Sequence, residues 1–591
     1  MKKFLGNIFA VIIGNFLTFA IIASLVGVVV LFSMAGNWFQ SKGPKNGSVL
    51  EITFNSPIKE SSMDEEVSLF GPPPGSEVYF RDIIRSIEAA KDDDKIKGIS
   101  LKTENFSGGA SQMSDIRNAL LDFKKSGKFI YAYSHNSNQA GYVINSTADS
   151  IFQNPMGMVF LQGLSAEVMF YKNLGDKFGV DFQVIRHGAY KSAVEPYLRD
   201  NLSPENREQL TLLLNDVWDN VSQSVMKSRK FSDESWKNIV DSLYAFNPYK
   251  ALQYKIVDKL AQEDEYDRAI AKRLEIDIKD DETIQDALEK YTISLTDYAA
   301  TLDAESGKDR IAILYASGTI MPGEGFVGIQ SEVYKKTIRD LKMDDNVKAV
   351  VLRINSPGGS ADASEEILYE LRELHKKKPI IVSFGDVAAS GGYYIAMESD
   401  AIYSSANTIT GSIGVLGMIP TVQKLANNLG VTTDYVNTNA NSDFLKTAFK
   451  PMSETGIRTM TDMTEATYKR FVNHVMNARG MTFEQVDSIG GGRVWSGTQG
   501  KKLGLVDQIG TLEDAVAAAA KKAGLDDYAI VNYPFRKGGF EEFMQQFQSV
   551  KSEEYIQQEL GTEYYRIYQD LKSIRENKGI QLRMPYEIKL K

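Results

Sequence analysis

Cysteine is absent from these 591 residues, and histidine occurs only four times. The first absence excludes disulfides, a thiol nucleophile and thiolate-bound zinc. The second leaves His135, His187, His375 and His474 scattered, with no His-x-x-x-His pair to grip a metal, so neither a metal site nor a cofactor is expected. Positive charge is also short: 67 Lys and Arg stand against 77 Asp and Glu, a net charge of −10, which argues against a nucleic-acid partner. The run Gly411-Ser412-Ile413-Gly414-Val415-Leu416-Gly417 lacks the Gly-Lys-Ser/Thr ending of a phosphate loop. Beyond residue 34 no stretch is long and apolar enough to span a bilayer.

What is present describes a globular chain of several domains, 43% hydrophobic and 24% charged. Lys2 and Lys3 precede an uncharged stretch from Phe4 to Ser41, whose apolar part, Phe4 to Met34, exceeds the roughly 20 residues a membrane helix needs. Ser33-Met34-Ala35 resembles a cleavage site, but a signal-peptide apolar core runs to only about 7–15 residues. Residues 1–41 are therefore read as a cytoplasmic stub and one transmembrane anchor. The lysine pair keeps that stub inside and sends the remainder outward, weakened but not reversed by Lys42 and Lys45.

After the anchor the pattern alternates. Ser48–Phe54, Ile96–Leu101 and Phe129–Tyr133 read as strands, and Tyr79–Ala90 and Met113–Lys125 as amphipathic helices, the order of βαβ units on a parallel sheet. The order then returns at a spacing near 251. Lys97–Lys102 matches Lys348–Arg353, Ser107-Gly108-Gly109 matches Pro357-Gly358-Gly359, and Gly141-Tyr142 matches Gly392-Tyr393. A tandem duplication of one α/β domain follows. The expected division is 48–276 for the first repeat, an acidic, partly helical link over 277–308, a second repeat over 309–525, and an extension over 526–591 with helix between about Gly538 and Lys578.

The repeats differ where chemistry would sit. Ala388-Ala389-Ser390-Gly391-Gly392-Tyr393 places Ser390 at the start of an expected helix, Gly392–Met397, whereas Gln139 takes that position in the first repeat. A helix start offers unpaired N–H groups to an alkoxide or oxyanion, although the same pattern fits an ordinary capping serine. Asn355-Ser356-Pro357-Gly358-Gly359-Ser360 follows an apolar strand, Ala349–Ile354, and so lies at the carboxyl edge where α/β folds gather their sites. Its glycines can turn amides toward a developing negative charge. With no histidine beside Ser390, a serine nucleophile needs another base, and an uncharged lysine serves. Gly188-Ala189-Tyr190-Lys191-Ser192-Ala193-Val194-Glu195-Pro196 supplies one.

These runs, with Thr410-Gly411-Ser412-Ile413-Gly414 and the duplication itself, resemble the signal peptide peptidase A (protease IV) family of S49-type serine proteases in its long, duplicated form. The resemblance covers nearly the whole chain outside the tail. It implies tandem ClpP/crotonase-like domains, Ser390 as nucleophile and Lys191 as general base. It also implies oxyanion support from Gly358, Gly359 and Gly391, with assistance from Ser412. Further implied are signal peptides and other apolar peptides as substrates, a homo-oligomer (a tetramer), and a place on the periplasmic side of a bacterial inner membrane. Short relatives draw the lysine from the serine's own domain, and a shift of 255 sets Lys446-Thr447-Ala448 over Lys191-Ser192-Ala193, so Lys446 is the alternative base.

Free lysine, with a pKa near 10.4, is neutral in roughly one molecule in 2,500 at pH 7. Burial can lower that pKa by about 3–5 units, and three units cost about 4 kcal/mol. The site therefore needs apolar walls, expected from Tyr190, Ala193, Val194 and Tyr197. Glu195, four residues on, must point elsewhere, and Pro196 is expected to break the local helix. Two other readings compete. A crotonase-type acyl-CoA enzyme would want a carboxylate at the site, for which Asp386 is the nearest, and a non-catalytic peptide-holding scaffold would have no need of both Ser390 and Lys191.

Overall fold

The structure, a computed structural model, describes residues 43–54, 57–61, 79–277, 283–302, 307–325, 327–534 and 580–584. The stretch expected to anchor the chain and the expected helix between 538 and 578 lie outside them. Among the described residues no helix is long and apolar enough to cross a membrane.

The first repeat contributes β1 (Ser48–Thr53), β2 (Ile96–Lys102), β3 (Phe129–Ser134) and β4 (Ser150–Gln153), then β5 (Asp181–His187), β6 (Lys259–Leu260) and β7 (Thr292–Ser294). All but β5 form one sheet in the order β6-β4-β3-β2-β1-β7, every pair parallel. Parallel strands buried on both faces need apolar residues on alternate sides. Leu50, Ile52, Ile99 and Leu101 meet helices Phe80–Asp92 and Ala110–Phe123 through Ile83, Ile87, Ile116 and Leu120. On the opposite face Val49, Phe129 and Phe152 meet Tyr266 and Ile270 of helix Glu263–Arg273. The stretch read as a link supplies β7, the edge strand of this sheet, and helix Leu295–Thr301.

The second repeat contributes β8 (Arg310–Ser317), β9 (Ile320–Met321), β10 (Ile329–Gln330), β11 (Val347–Ser356), β12 (Gly358–Ser360), β13 (Ile380–Ala389), β14 (Ala401–Ser404), β15 (Ile409–Gly411), β16 (Val415–Thr421), β17 (Val494–Ser496), β18 (Gln508–Ile509) and β19 (Ala529–Tyr533), of which β8, β11, β13, β14, β18 and β19 rebuild that sheet. Its parallel path β18-β14-β13-β11-β8-β19 repeats the first sheet strand for strand. Alternation again sorts the layers. Ile311, Ile313 and Val351 pack on helix Leu512–Ala523 through Ala515 and Val516, while Leu314, Val350 and Leu352 pack on Ile338, Ile367 and Leu371 of helices Ser331–Met343 and Ala361–His375.

A third sheet, β10-β9-β12-β20-β16-β5, stitches the repeats together, with β20 (Ile580–Arg583) drawn from near the carboxyl terminus. Within it β5 lies antiparallel to β16, from His187 against Val415 to Asp181 against Thr421. This joint decides the site: the chain leaves β5 four residues before Lys191 and enters β16 three residues after Ser412. A buried ion pair adds a second weld. Arg353 of β11 grips Glu60 of the first repeat with two hydrogen bonds of 3.0 Å each.

Candidate active site

At its carboxyl end β13 turns sharply into the short helix Gly391–Tyr394, and Ser390 is the corner, with φ 56° and ψ −116°. A left-handed non-glycine residue stores about 1–3 kcal/mol of strain, so the surroundings must hold it. They do: the Ser390 N–H donates to the Gly411 carbonyl at 2.8 Å, and its own carbonyl accepts from Tyr394 N–H at 2.8 Å. The expected helix Gly392–Met397 is split, continuing past Tyr394 as a tighter turn over Ile395–Met397.

Lys191 arrives on the turn after β5. Its side chain is fully buried, and its Nζ stands 2.7 Å from Ser390 Oγ, 3.0 Å from Ser412 Oγ and 3.1 Å from the Ser412 carbonyl oxygen. Among the described residues it forms no ion pair, and burial alone holds the amine well below the usual lysine range. Ser412, also left-handed at φ 52°, is fixed by its N–H donating to the Arg493 carbonyl at 2.7 Å.

The wall around this amine differs from expectation. Val194 is buried, but Tyr190 turns outward, its hydroxyl donating to Glu208 at 3.3 Å and its ring covered by the Arg493 guanidinium at 4.7 Å. Tyr197 stacks on Tyr171 instead. The close wall is backbone of the second repeat: a Cβ on Gly492, at φ 86°, would fall 2.6 Å from Lys191 Cα and Cβ. Gln209 braces the turn, donating to the Tyr190 carbonyl at 3.2 Å and Ser192 Oγ at 2.9 Å while accepting from Val494 N–H at 3.3 Å. Glu195 does point elsewhere: its Oε2 accepts from Ser203 N–H at 3.2 Å and Asn206 Nδ2 at 2.9 Å. Pro196 opens helix Glu195–Leu198 rather than breaking one, because its missing N–H is not needed in a first turn.

Gly358 and Gly359 pack against Gly391, the residue that follows Ser390. A Cβ on Gly358, at φ 96°, would lie 2.6 Å from the Gly391 nitrogen and 2.1 Å from the Leu582 carbonyl oxygen, so only glycine admits both. The Gly358 N–H donates to Ser356 Oγ at 3.1 Å. A Cβ on Gly391 would lie 3.2 Å from the Gly359 nitrogen, which sets those two amides across the same corner. Asp386 accepts from Ser111 N–H at 2.7 Å and so turns toward the first repeat; burial raises its pKa to about 6. Lys446 lies on the surface, its N–H donating to the Asp443 carbonyl at 3.1 Å, and the structure does not bring it to buried Ser390.

Beside this corner runs β20, antiparallel to β12 and to β16, with Met584 N–H donating to the Pro357 carbonyl at 2.8 Å. Leu582 is sunk in the second repeat's core, and Met584 in a cluster with Leu213, Val217, Ala389, Ile409 and Val494. Sequence reasoning missed Gly492, Gln209 and residues 580–584. The run Gly490-Gly491-Gly492 was a visible signal for the first; nothing local marks the others.

The profile of peptidase family S49 matches this chain twice, over residues 122–277 and 372–526. Protease 4 of Salmonella typhi is 36% identical over 532 residues, covering 87% of this chain and 84% of its own length. Protease 4 of Haemophilus influenzae is 35% identical over 450 residues, 74% of this chain and 72% of that one. Serine protease SPPA, chloroplastic, of Arabidopsis thaliana is 30% identical over 493 residues, 81% and 70% respectively. A solved ClpP1 mutant from Listeria monocytogenes aligns over 34% of this chain and 94% of its own, at 17% identity and a TM-score of 0.23, too slight a likeness to carry an argument. With the duplicated match and relatives aligned over most of its length, this chain belongs to peptidase family S49 and is a serine protease.

Proposed function

We propose that Ser390 is the nucleophile and Lys191 the general base of an endopeptidase that cuts extended, apolar peptides, signal peptides among them. The observation that carries this reading is the 2.7 Å approach of a buried, unpaired amine to the hydroxyl. A neutral amine has two N–H groups and one lone pair. The two Ser412 oxygens accept the N–H groups, which aims the lone pair at Ser390 Oγ–H. As Oγ bonds to the peptide carbonyl carbon, its proton passes to Nζ and the carbonyl oxygen becomes an oxyanion, received by the Gly359 and Gly391 amides. The ammonium returns that proton to the leaving nitrogen as the C–N bond breaks. Water then gives a proton to the same amine and attacks the ester, and the C–Oγ bond breaks with the proton restored to Ser390.

The substrate class rests on β20. An extended segment of this chain lies along β12 and β16, with a carbonyl oxygen in the glycine corner and alternate side chains, Leu582 and Met584, buried. A peptide bound in the same way would present apolar residues two apart. The uncharged residues 4–41 support the cellular setting in this reading: a homo-oligomer held by a membrane anchor, with both repeats on the periplasmic face. The test is turnover of a fluorogenic apolar peptide by the full chain. Ser390→Ala is expected to lower kcat/KM by at least about 10⁴-fold with unfolding temperature unchanged. Retained turnover would sink the assignment.

A further inference from the structure

The chain enters β17 through a strap, Gly490-Gly491-Gly492-Arg493, that is bonded to both halves of the candidate site. The Gly491 carbonyl accepts from Tyr190 N–H at 3.1 Å, Gly492 N–H donates to the Ile413 carbonyl at 2.8 Å, and the Arg493 carbonyl accepts from Ser412 N–H at 2.7 Å. Gly491 and Gly492 are left-handed, at φ 58° and 86°, and a side chain at Gly492 would strike Lys191. Glycine permits this close approach, but it is also the residue whose backbone costs most to order. The strap therefore needs a side chain to hold it, and Arg493 has one. Its guanidinium lies between two rings, 4.7 Å from the centre of Tyr190 and 4.5 Å from that of Trp495. In its own plane it donates to Glu208 Oε1 at 2.9 Å and to the Tyr190 hydroxyl oxygen at 3.3 Å. A flat cation can face two rings and bond along its edge at once, which an ammonium cannot. The Arg493 side chain is 16% exposed against 50% for Glu208, so the rings rather than the half-exposed carboxylate supply the hold.

The two rings belong to the two sides of the site. Tyr190 immediately precedes Lys191, and Trp495 pairs across the sheet with Thr410, beside the Gly411 whose carbonyl accepts from Ser390 N–H. Trp495 is itself fixed by its indole N–H, which donates to the Ile489 carbonyl at 2.9 Å. We infer that Arg493 is a positioning residue for the lysine base: by clamping Tyr190 against Trp495 it pins the glycine strap over Lys191, keeping the amine dry and within reach of Ser390. It acts through the turn, since the amine itself bonds to Ser390 and Ser412. Besides Glu208, the charged groups at this turn are Arg186, whose guanidinium donates to the Lys191 carbonyl at 3.2 Å, and buried Glu195, 4.0 Å from Arg186. The inference rests on the Lys191–Ser390 reading and adds what holds that pair together. A loosened strap admits water, water favours the ammonium, and the amine's titration moves back toward that of a free lysine.

The test is the pH dependence of fluorophosphonate labelling in the full chain. Arg493→Ala is expected to move the midpoint upward by about one unit, so that labelling is about tenfold slower below both midpoints and approaches the parent's rate above them. Tyr190→Leu keeps the cation but removes one ring, and is expected to shift the midpoint in the same direction; Tyr190→Phe, which restores the ring, is expected to bring it back. A role confined to stability would lower the rate by one factor at every pH along with the unfolding temperature. That result overturns the inference, as does an Arg493→Ala midpoint equal to the parent's. If Arg493→Ala does not fold, the two Tyr190 variants decide by the same outcomes. Lys191→Met separates the two readings. Loss of the pH-dependent limb there, with no shift in the clamp variants, removes Arg493 alone, whereas labelling of Lys191→Met at the parent's rate and profile removes the dyad and the clamp together.

Discussion

At the scale of single residues the site depends on removing charge from one amine. Lys191 has its folded pKa below its unfolded value because burial penalises the ammonium. Between those two values the unfolded chain binds one proton more than the folded chain, so stability rises with pH across that window. On the proposed mechanism activity follows the same sense, since only a neutral amine can take the Ser390 proton, and kcat/KM should fall toward acid along a one-proton limb. Ser412→Ala removes the hydroxyl that accepts one amine N–H and should lower kcat about 10- to 100-fold without loss of fold, read from steady-state rates. Gly492→Ala pushes a methyl into the backbone of Lys191 and should depress kcat while leaving KM near the parent's. Ser390 and Lys191, which the structure brings together, could be singled out as candidates because small residues around a hydroxyl, and a lysine run without a histidine nearby, are local patterns. Gln209 was not, because a glutamine that braces a turn reads in sequence as any polar residue on a helix.

At the scale of elements, β5 and β20 do what composition could not announce. The alternation of strands and helices predicted the sheets closely: Ile96–Leu101 became Ile96–Lys102, and Phe129–Tyr133 became Phe129–Ser134. Pairing partners are another matter, since a strand such as Asp181–His187 carries no mark of which sheet it will join. β20 is four residues far along the chain, and only its neighbours β12 and β16 give it meaning. Because it lies where a peptide would lie, a chain ending at residue 579 should show a KM lowered up to about tenfold with kcat unchanged, as expected when an internal occupant is removed. An unchanged KM would mean that β20 does not compete. Glu60→Ala leaves Arg353 buried without its partner and should destabilise the chain by about 3–5 kcal/mol, measured by denaturant unfolding.

At the scale of the whole molecule, duplication lets one repeat furnish the proposed base and the other the proposed nucleophile. The repeat was readable from spacing alone, but its consequence, a candidate site that joins residues of both repeats, needed the third sheet. The account rests on a neutral Lys191 acting on Ser390. The most direct measurement is the rate at which a fluorophosphonate probe labels Ser390 in the full chain as pH is varied, compared with Lys191→Met. The account predicts a rate that rises with pH through a single midpoint well below 10.5 in the parent, and a loss of about 10²–10⁴-fold at every pH in the variant, with unfolding temperature preserved. Labelling in Lys191→Met at the parent's rate, with the parent's pH profile, would contradict it.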